Sequence, residues 1–388
     1  MRALGALLLR RARPVVDGVA GEETDVLLVD GRVAEIGSAS RAAAVDLEGR
    51  LLLPAFVNAH DVLDAATLPP LGSGRHVSLY EWSRAAEADV HALVPGLAVP
   101  LADRLFLGGL RNLLAGAAGV LHHHPDHRSL GRADFPVRVQ RRYGFAHSPG
   151  RTPRLRATYR TTDRRVPWLV RAAEGSDPAL RAELDVLAAA NVLRQNTVVA
   201  RGTALEAADG PRLAAAKACL AWCPEADLRQ YGRTAPVRAL QDAGVRVGLG
   251  SDGAAAGARD LLSTAAVARE AAGLGDRDLL RLLTTASGEV ARLAVSGFTP
   301  GATADFVATG SLDSLLAGDR QALALVVVRG EPAFGEPALV EAAGRPASRL
   351  FVDGKERALA SASGPRLASL LRRHPDLRRA AWLAEVKI

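Results

Sequence analysis

Leu51-Leu52-Leu53-Pro54-Ala55-Phe56-Val57-Asn58-Ala59-His60-Asp61-Val62-Leu63 is an apolar run that ends abruptly in polar residues. A short, continuous apolar run of this kind reads as a buried strand, Leu51–Asn58, with His60 just past its end. Strand period places residues i and i+2 on one face, so a metal bound beside His60 would draw a second histidine from position 62. Valine stands there.

Working outward, short β-rich runs alternate with Ala/Leu-rich helical stretches from Leu51 to about Leu293. The clearest further strands are Val120–His123, Val137–Tyr143, Trp168–Ala172, Thr197–Ala200, Ala218–Trp222 and Val245–Leu249, with Leu155–Tyr159 as a weaker eighth. Segments such as Pro178–Ala190 and Asp260–Ala272 read as the intervening helices. About eight such units predict an α/β fold, a (β/α)8 TIM barrel over residues 51–299. Both flanks read as β. Asp25–Val29 and Arg32–Ile36 flank Asp30-Gly31, a pair suited to a type I′ hairpin turn. Past Pro300-Gly301, strands return at Ala304–Thr309, Leu323–Val328 and Arg349–Val352. The two flanks, 1–50 and 300–360, are therefore expected to form one small β-sandwich. Residues 361–388 read as a helical, arginine-rich tail packed on the rest, with a solvated basic face.

Composition narrows the function classes. The chain has 388 residues, is 48% hydrophobic and carries a net charge of +7. Lys217, Lys355 and Lys387 are its lysines, so the positive charge is almost all arginine, scattered and with few aromatics between. Nucleic-acid binding is not expected from that pattern. Apolar stretches such as Leu93 to Val120 are interrupted by Asp103, Arg104 and Arg111, which argues against a membrane span. Two cysteines, Cys219 and Cys223, provide no disulfide framework, and a cytoplasmic location is expected. A homodimer is left open. The Gly248-Leu249-Gly250-Ser251-Asp252-Gly253 stretch has dinucleotide-fingerprint spacing, but it sits late in the β/α series rather than in an opening unit.

Barrel chemistry sits where strands end. Those ends supply His60, the run His122-His123-His124, Arg171 with Glu174, Arg201-Gly202, Cys223-Pro224 and Ser251-Asp252-Gly253. With Leu53-Pro54-Ala55-Phe56-Val57-Asn58-Ala59-His60, Asn196–Gly202, Gly248–Asp252 and Pro300-Gly301-Ala302-Thr303-Ala304-Asp305, they make the chain resemble the amidohydrolase superfamily in its deaminase and chlorohydrolase branch. The resemblance implies hydrolysis of C–N bonds other than peptide bonds by one divalent metal. It maps His60 to the first metal ligand, Asp252 to the last, and Glu174 to the glutamate that handles protons and substrate. It also places Val62, Arg171 and Arg201 where the branch has ligand histidines.

Valine donates nothing, and arginine stays protonated and repels a cation. The expectation is therefore a degraded metal site with no cofactor. Arg171 and Arg201 would pair with Asp252 and Glu174, leaving a non-hydrolytic protein that binds a small anionic ligand or a partner. His60, His122, His124 and His147 would line that ligand site. Along a strand His122 and His124 share a face, so His123 is expected to point away. One alternative is an active hydrolase, with zinc or iron on a site rebuilt around His60 and Asp252, or working without metal. Another is a structural subunit paired with an active relative.

Overall fold

The computed structural model describes residues 5–37, 40–360 and 363–388. Eight short parallel strands follow one another between Phe56 and Leu249: β1 (Phe56–Asp61), β2 (Ala117–His122), β3 (Arg138–Val139), β4 (Gly144–Ala146), β5 (Trp168–Ala172), β6 (Thr197–Arg201), β7 (Cys219–Trp222) and β8 (Arg246–Leu249). Their hydrogen-bonded ladders form two sheets, β1-β2-β3 and β4-β5-β6-β7-β8, rather than one closed ring. The ends of β1 and β8 nevertheless meet, where Asp252 N–H donates to His60 O at 3.0 Å. Helices such as α1 (Leu101–Leu113) and α2 (Pro224–Tyr231) lie between strands, as parallel connections require.

Three sequence expectations change. Leu155–Tyr159 is a helix, Leu155–Arg160, because Leu155 and Tyr159 at i,i+4 turn one face onto the core. The run Val137–Tyr143 breaks up: only Arg138–Val139 of it is strand, β3, and β4 begins beyond it at Gly144, while the Gln140 side-chain amide donates to the carbonyls of Ala291 and Arg292. Leu51–Asn58 also divides. Leu51–Pro54 pairs antiparallel with Phe306–Thr309, and β1 begins only at Phe56. Pro54 has no N–H with which to continue a ladder, and Phe56 N–H takes up a new partner, Gly116 O, at 3.1 Å. The N-terminal flank thus runs past residue 50.

Strands from both chain ends share one sheet of 12 strands, in which Leu51–Pro54 joins Leu7–Val16 to Phe306–Thr309. Leu7–Val16 changes register at Arg11, a bulge with φ 48°, so its first half pairs with Thr24–Val29 and its second with Leu51–Leu52. Leu9, Val26, Leu52, Phe306 and Leu325 bury together there. The Asp30-Gly31 turn has both residues at positive φ, as a type I′ turn demands.

The tail helix, Ser363–Arg373, lies behind the site. Arg366 stacks 4.0 Å over Phe106 of α1 and bonds Asp103, while buried Trp382 donates to Ala66 O at 2.8 Å. These contacts press α1 and the turn after β1 together. No single helix among the described residues is long and apolar enough to cross a membrane.

The seam between α1 and that turn requires glycine. A Cβ at Gly108 would lie 2.3 Å from Leu63 O and 2.7 Å from Leu63 Cα, both backbone atoms. Gly108→Ala is therefore expected to destabilise the fold by about 1–3 kcal/mol, read as a lower urea midpoint at unchanged slope.

Candidate functional site

At the C-terminal ends of β5, β6 and β8, two arginines and three carboxylates form one buried cluster. Arg201 ends β6 with φ 73°, and its guanidinium is fully buried. It donates Nη1 to Asp252 Oδ2 at 2.6 Å, Nη2 to Gln230 Oε1 at 2.8 Å and Nε to Asp227 Oδ1. Arg171 on β5 grips Glu174 in a fork, Nε to Oε2 and Nη2 to Oε1, both 2.7 Å, and reaches Asp252 Oδ2 at 3.1 Å. Tyr231 Oη donates to Glu174 Oε1 at 2.8 Å, and its ring lies beneath Arg201 at 5.3 Å. Such forked, charge-assisted bonds are strong, and here they leave water little access.

Each charge is explained by its neighbours. Burial alone would raise Glu174 and Asp252, but Arg171 and Arg201 hold both below the ordinary carboxylate range. Burial disfavours charge on the two guanidiniums as well, yet the carboxylates raise them further above their usual value. Asp227 behaves differently: burial pushes it up to about 7 against the pull of Arg201 and Thr234.

His60 sits beside this cluster without joining it as a cation. Its Nε2 is 2.7 Å from His123 Nδ1, and His123 Nε2 is 3.0 Å from Ala146 O. A carbonyl only accepts, so His123 carries its proton on Nε2 and accepts at Nδ1 from His60 Nε2–H. His60 Nδ1 therefore bears a lone pair, 3.8 Å from both Asp252 Oδ1 and Cys223 Sγ. Burial drives His60 down to about 4, and burial pushes the Cys223 thiol well up, so both are neutral near pH 7.

The other predicted histidines fall elsewhere. His122 Nδ1 accepts Leu63 N–H, and its Nε2 is 4.0 Å from Asp64 Oδ1. His124 bonds Asp64 at 2.8 Å and lies edge-on to His147. The expectation that His123 points away is thus corrected: β2 ends at His122, and past a strand end alternation no longer dictates direction.

A supporting layer escaped the sequence reading. Arg111 of α1 pairs with Asp61 at 3.0 Å and donates to Asp252 O at 2.9 Å; both side chains are buried. Asn112 donates to Asp61, and Asn58 links Asn112 to Ser251 at 2.8 Å each. Together they hold Asp252 in its left-handed conformation, φ 54°. Asp227, Gln230 and Tyr231 also went unnoticed. Their spacing of three and four on α2, right after Cys223-Pro224, was the available signal.

Comparison with known proteins gives this geometry its context. The Amidohydrolase family matches in sequence over residues 170–355. The fold agrees over most of the chain. A zinc-bound adenosine deaminase from Xanthomonas campestris superposes with a TM-score of 0.72 at 17% identity, covering 96% of this chain and 98% of that one. Atrazine chlorohydrolase from Arthrobacter aurescens TC1, complexed with zinc, gives 0.66 at 18% identity over 84% of this chain and 94% of its own. N-isopropylammelide isopropylaminohydrolase from Burkholderia multivorans gives 0.62 at 19%, covering 85% and 98%. No curated protein matches in sequence.

The residues present do not fit the zinc that those two structures hold. Catalytic zinc takes about three nitrogen, sulfur or oxygen donors. Val62 has none, Arg171 and Arg201 both engage Asp252 Oδ2, and His60 Nε2 is committed to His123. Among the described residues, no group of three His, Cys, Asp or Glu side chains converges on a metal position.

Two outcomes follow. Arg201→Met strands Asp252 and Asp227 in the interior and should lower unfolding free energy by about 3–5 kcal/mol; adding Asp252→Asn should recover part of the loss in denaturant titrations. Secondly, His60 and His122 both titrate at about 4, lowered by burial. Imidazole nitrogen shifts should show both rings neutral at pH 5. Because the folded values lie below the free value, unfolded chains bind these protons first. Their contribution to stability is whole above about pH 6.5 and is lost as pH falls toward 4.

Proposed function

We propose that this chain is a non-hydrolytic member of the amidohydrolase fold, in which Arg171 and Arg201 supply the charge a divalent metal would bring. On this reading the eight strands are a (β/α)8 barrel, and the shared terminal sheet is its β-sandwich companion. The observation that carries the proposal is Arg201 Nη1 at 2.6 Å from Asp252 Oδ2. A guanidinium at that distance occupies the carboxylate a metal would need and adds a fixed positive charge. Two guanidiniums carry the same formal charge as one divalent ion, and Asp252 and Glu174 are satisfied without it.

The partial exposure of Arg171 favours a small anionic ligand. Arg171 is the most exposed charged member of the cluster, with 13% of its side chain reached by solvent. Its Nη1 makes no hydrogen bond among the described residues, and its backbone N–H binds His147 O at 3.1 Å. Arg171, with His147 and His124 close by, thus presents one unbonded guanidinium nitrogen at the edge of the cluster. A ligand carboxylate there gains a charge-assisted bond from Nη1 without breaking the cluster.

The test is metal content by elemental analysis of protein expressed with zinc, iron and manganese present and never exposed to chelator. The native chain should carry well under one metal per chain, release no ammonia from adenosine and show saturable carboxylate binding that Arg171→Met removes. The triple variant Val62→His, Arg171→His, Arg201→His should gain about one metal per chain. Near-stoichiometric metal in the native chain would overturn the proposal.

A further inference from the structure

At the opposite end of the parallel strands, the segments that enter β5, β6, β7 and β8 enclose two adjoining concavities of about 560 and 380 Å³. The first is lined by five cations, Arg156, Arg160, Arg164, Arg194 and Lys217, and by no carboxylate. The second shares Arg164, Gln195 and Lys217 with it and adds Arg165, Arg246 and Arg292, again without a carboxylate. Apart from Arg165, which pairs with Asp163, none of these eight cations has an ion-pair partner among the described residues.

Eight of the chain's 49 Lys and Arg gather at this one rim, in a chain that has 42 Asp and Glu. Nor are the arginines here merely disordered surface groups. Arg246 Nη2 donates to Lys217 O at 2.7 Å and Arg292 Nη2 to Gln195 O at 3.0 Å, which fixes two guanidiniums through carbonyls that leave the charge uncompensated. Like charges gathered in a concavity repel and raise the local potential, a cost that a bound anion offsets.

The shape selects among anions. Tyr159 and Leu193 give the larger concavity an apolar side, and Tyr159 is held by Asn196 at 2.7 Å and by its edge-on contact with Trp168. A single aromatic stacks a single ring; a nucleic-acid strand would need a succession of them. Arginine forks suit phosphate oxygens, and two joined basins accommodate more than one. We propose that this basin binds a small ligand carrying two or more phosphate groups, of the nucleoside triphosphate class. The site is independent of the strand-end cluster, which lies at the other end of the same strands.

The experiment is calorimetric titration of the full chain with ATP, inorganic tripolyphosphate and a short single-stranded oligonucleotide at about 0.15 M salt. Three proteins are compared: the native chain; Arg160→Glu with Arg164→Glu and Lys217→Glu; and a control reversing three exposed arginines elsewhere, Arg10→Glu, Arg128→Glu and Arg372→Glu. Both variants change net charge equally. Saturable one-to-one binding of ATP by the native chain is expected, weakened about tenfold or more in the basin variant and about twofold or less in the control. ATP binding tighter than tripolyphosphate assigns the Tyr159 side to a base; equal binding makes the phosphate chain the recognised group. Equal loss in both variants, no saturable binding, or tighter binding of the oligonucleotide overturns the proposal. Circular dichroism melts confirm that both variants fold, and an Arg171→Met variant with unaltered ATP binding separates this site from the strand-end cluster.

Discussion

A guanidinium with no access to water must find anions, and Arg201 organises the molecule around that requirement. Its three nitrogens meet Asp252, Gln230 and Asp227, which arrive from β8 and α2. Arg171 from β5 shares Asp252 and secures Glu174. Three strands and a helix are therefore tied at one point by bonds that none of them can relinquish singly. A buried ion network is a weak source of net stability when compared with a well-packed apolar core, but it is costly to break in part. That asymmetry fixes which side chains stand at the centre.

The layer beneath serves the same end. Asp252 adopts a left-handed conformation, and Arg111, Asp61, Asn112, Asn58 and Ser251 bond the backbone and side chains around it. The tail reaches back to press α1 against the turn after β1 through Trp382 and Arg366. A segment more than 300 residues away from His60 in sequence thus supports the strand end that carries it. The histidines divide into two groups, His60 with His123 at the cluster and His122 with His124 around Asp64. Keeping the buried imidazoles uncharged spares the centre further positive charge beside two arginines.

The two ends of the parallel strands consequently differ in kind. One holds opposite charges at hydrogen-bond distance, satisfied internally and nearly closed. The other gathers cations, two of them positioned by carbonyls, of which only Arg165 has a carboxylate partner among the described residues. The segment that matches the Amidohydrolase family, 170–355, contributes to both ends.

Much of the architecture was legible along the chain. Alternating apolar strands and helices, the Asp30-Gly31 turn, and polar residues following each strand are local patterns, and local patterns survive in sequence. So did the pairing of Arg171 and Arg201 with Asp252 and Glu174, because opposite charges at neighbouring strand ends have few other partners. Leu155–Tyr159 misled as a strand because five residues of mixed apolarity fit either period until a core takes one face. His123 misled because alternation applies only while the ladder lasts, and it stops at His122. By itself, the sequence determined the order of elements and the charges available at their ends. The tertiary structure decided which charges meet: Asp227 under Arg201, Arg111 behind Asp252, and at one rim eight cations from separate segments, seven of them without an ion-pair partner among the described residues. Those encounters join residues distant in the chain, and no local period records them.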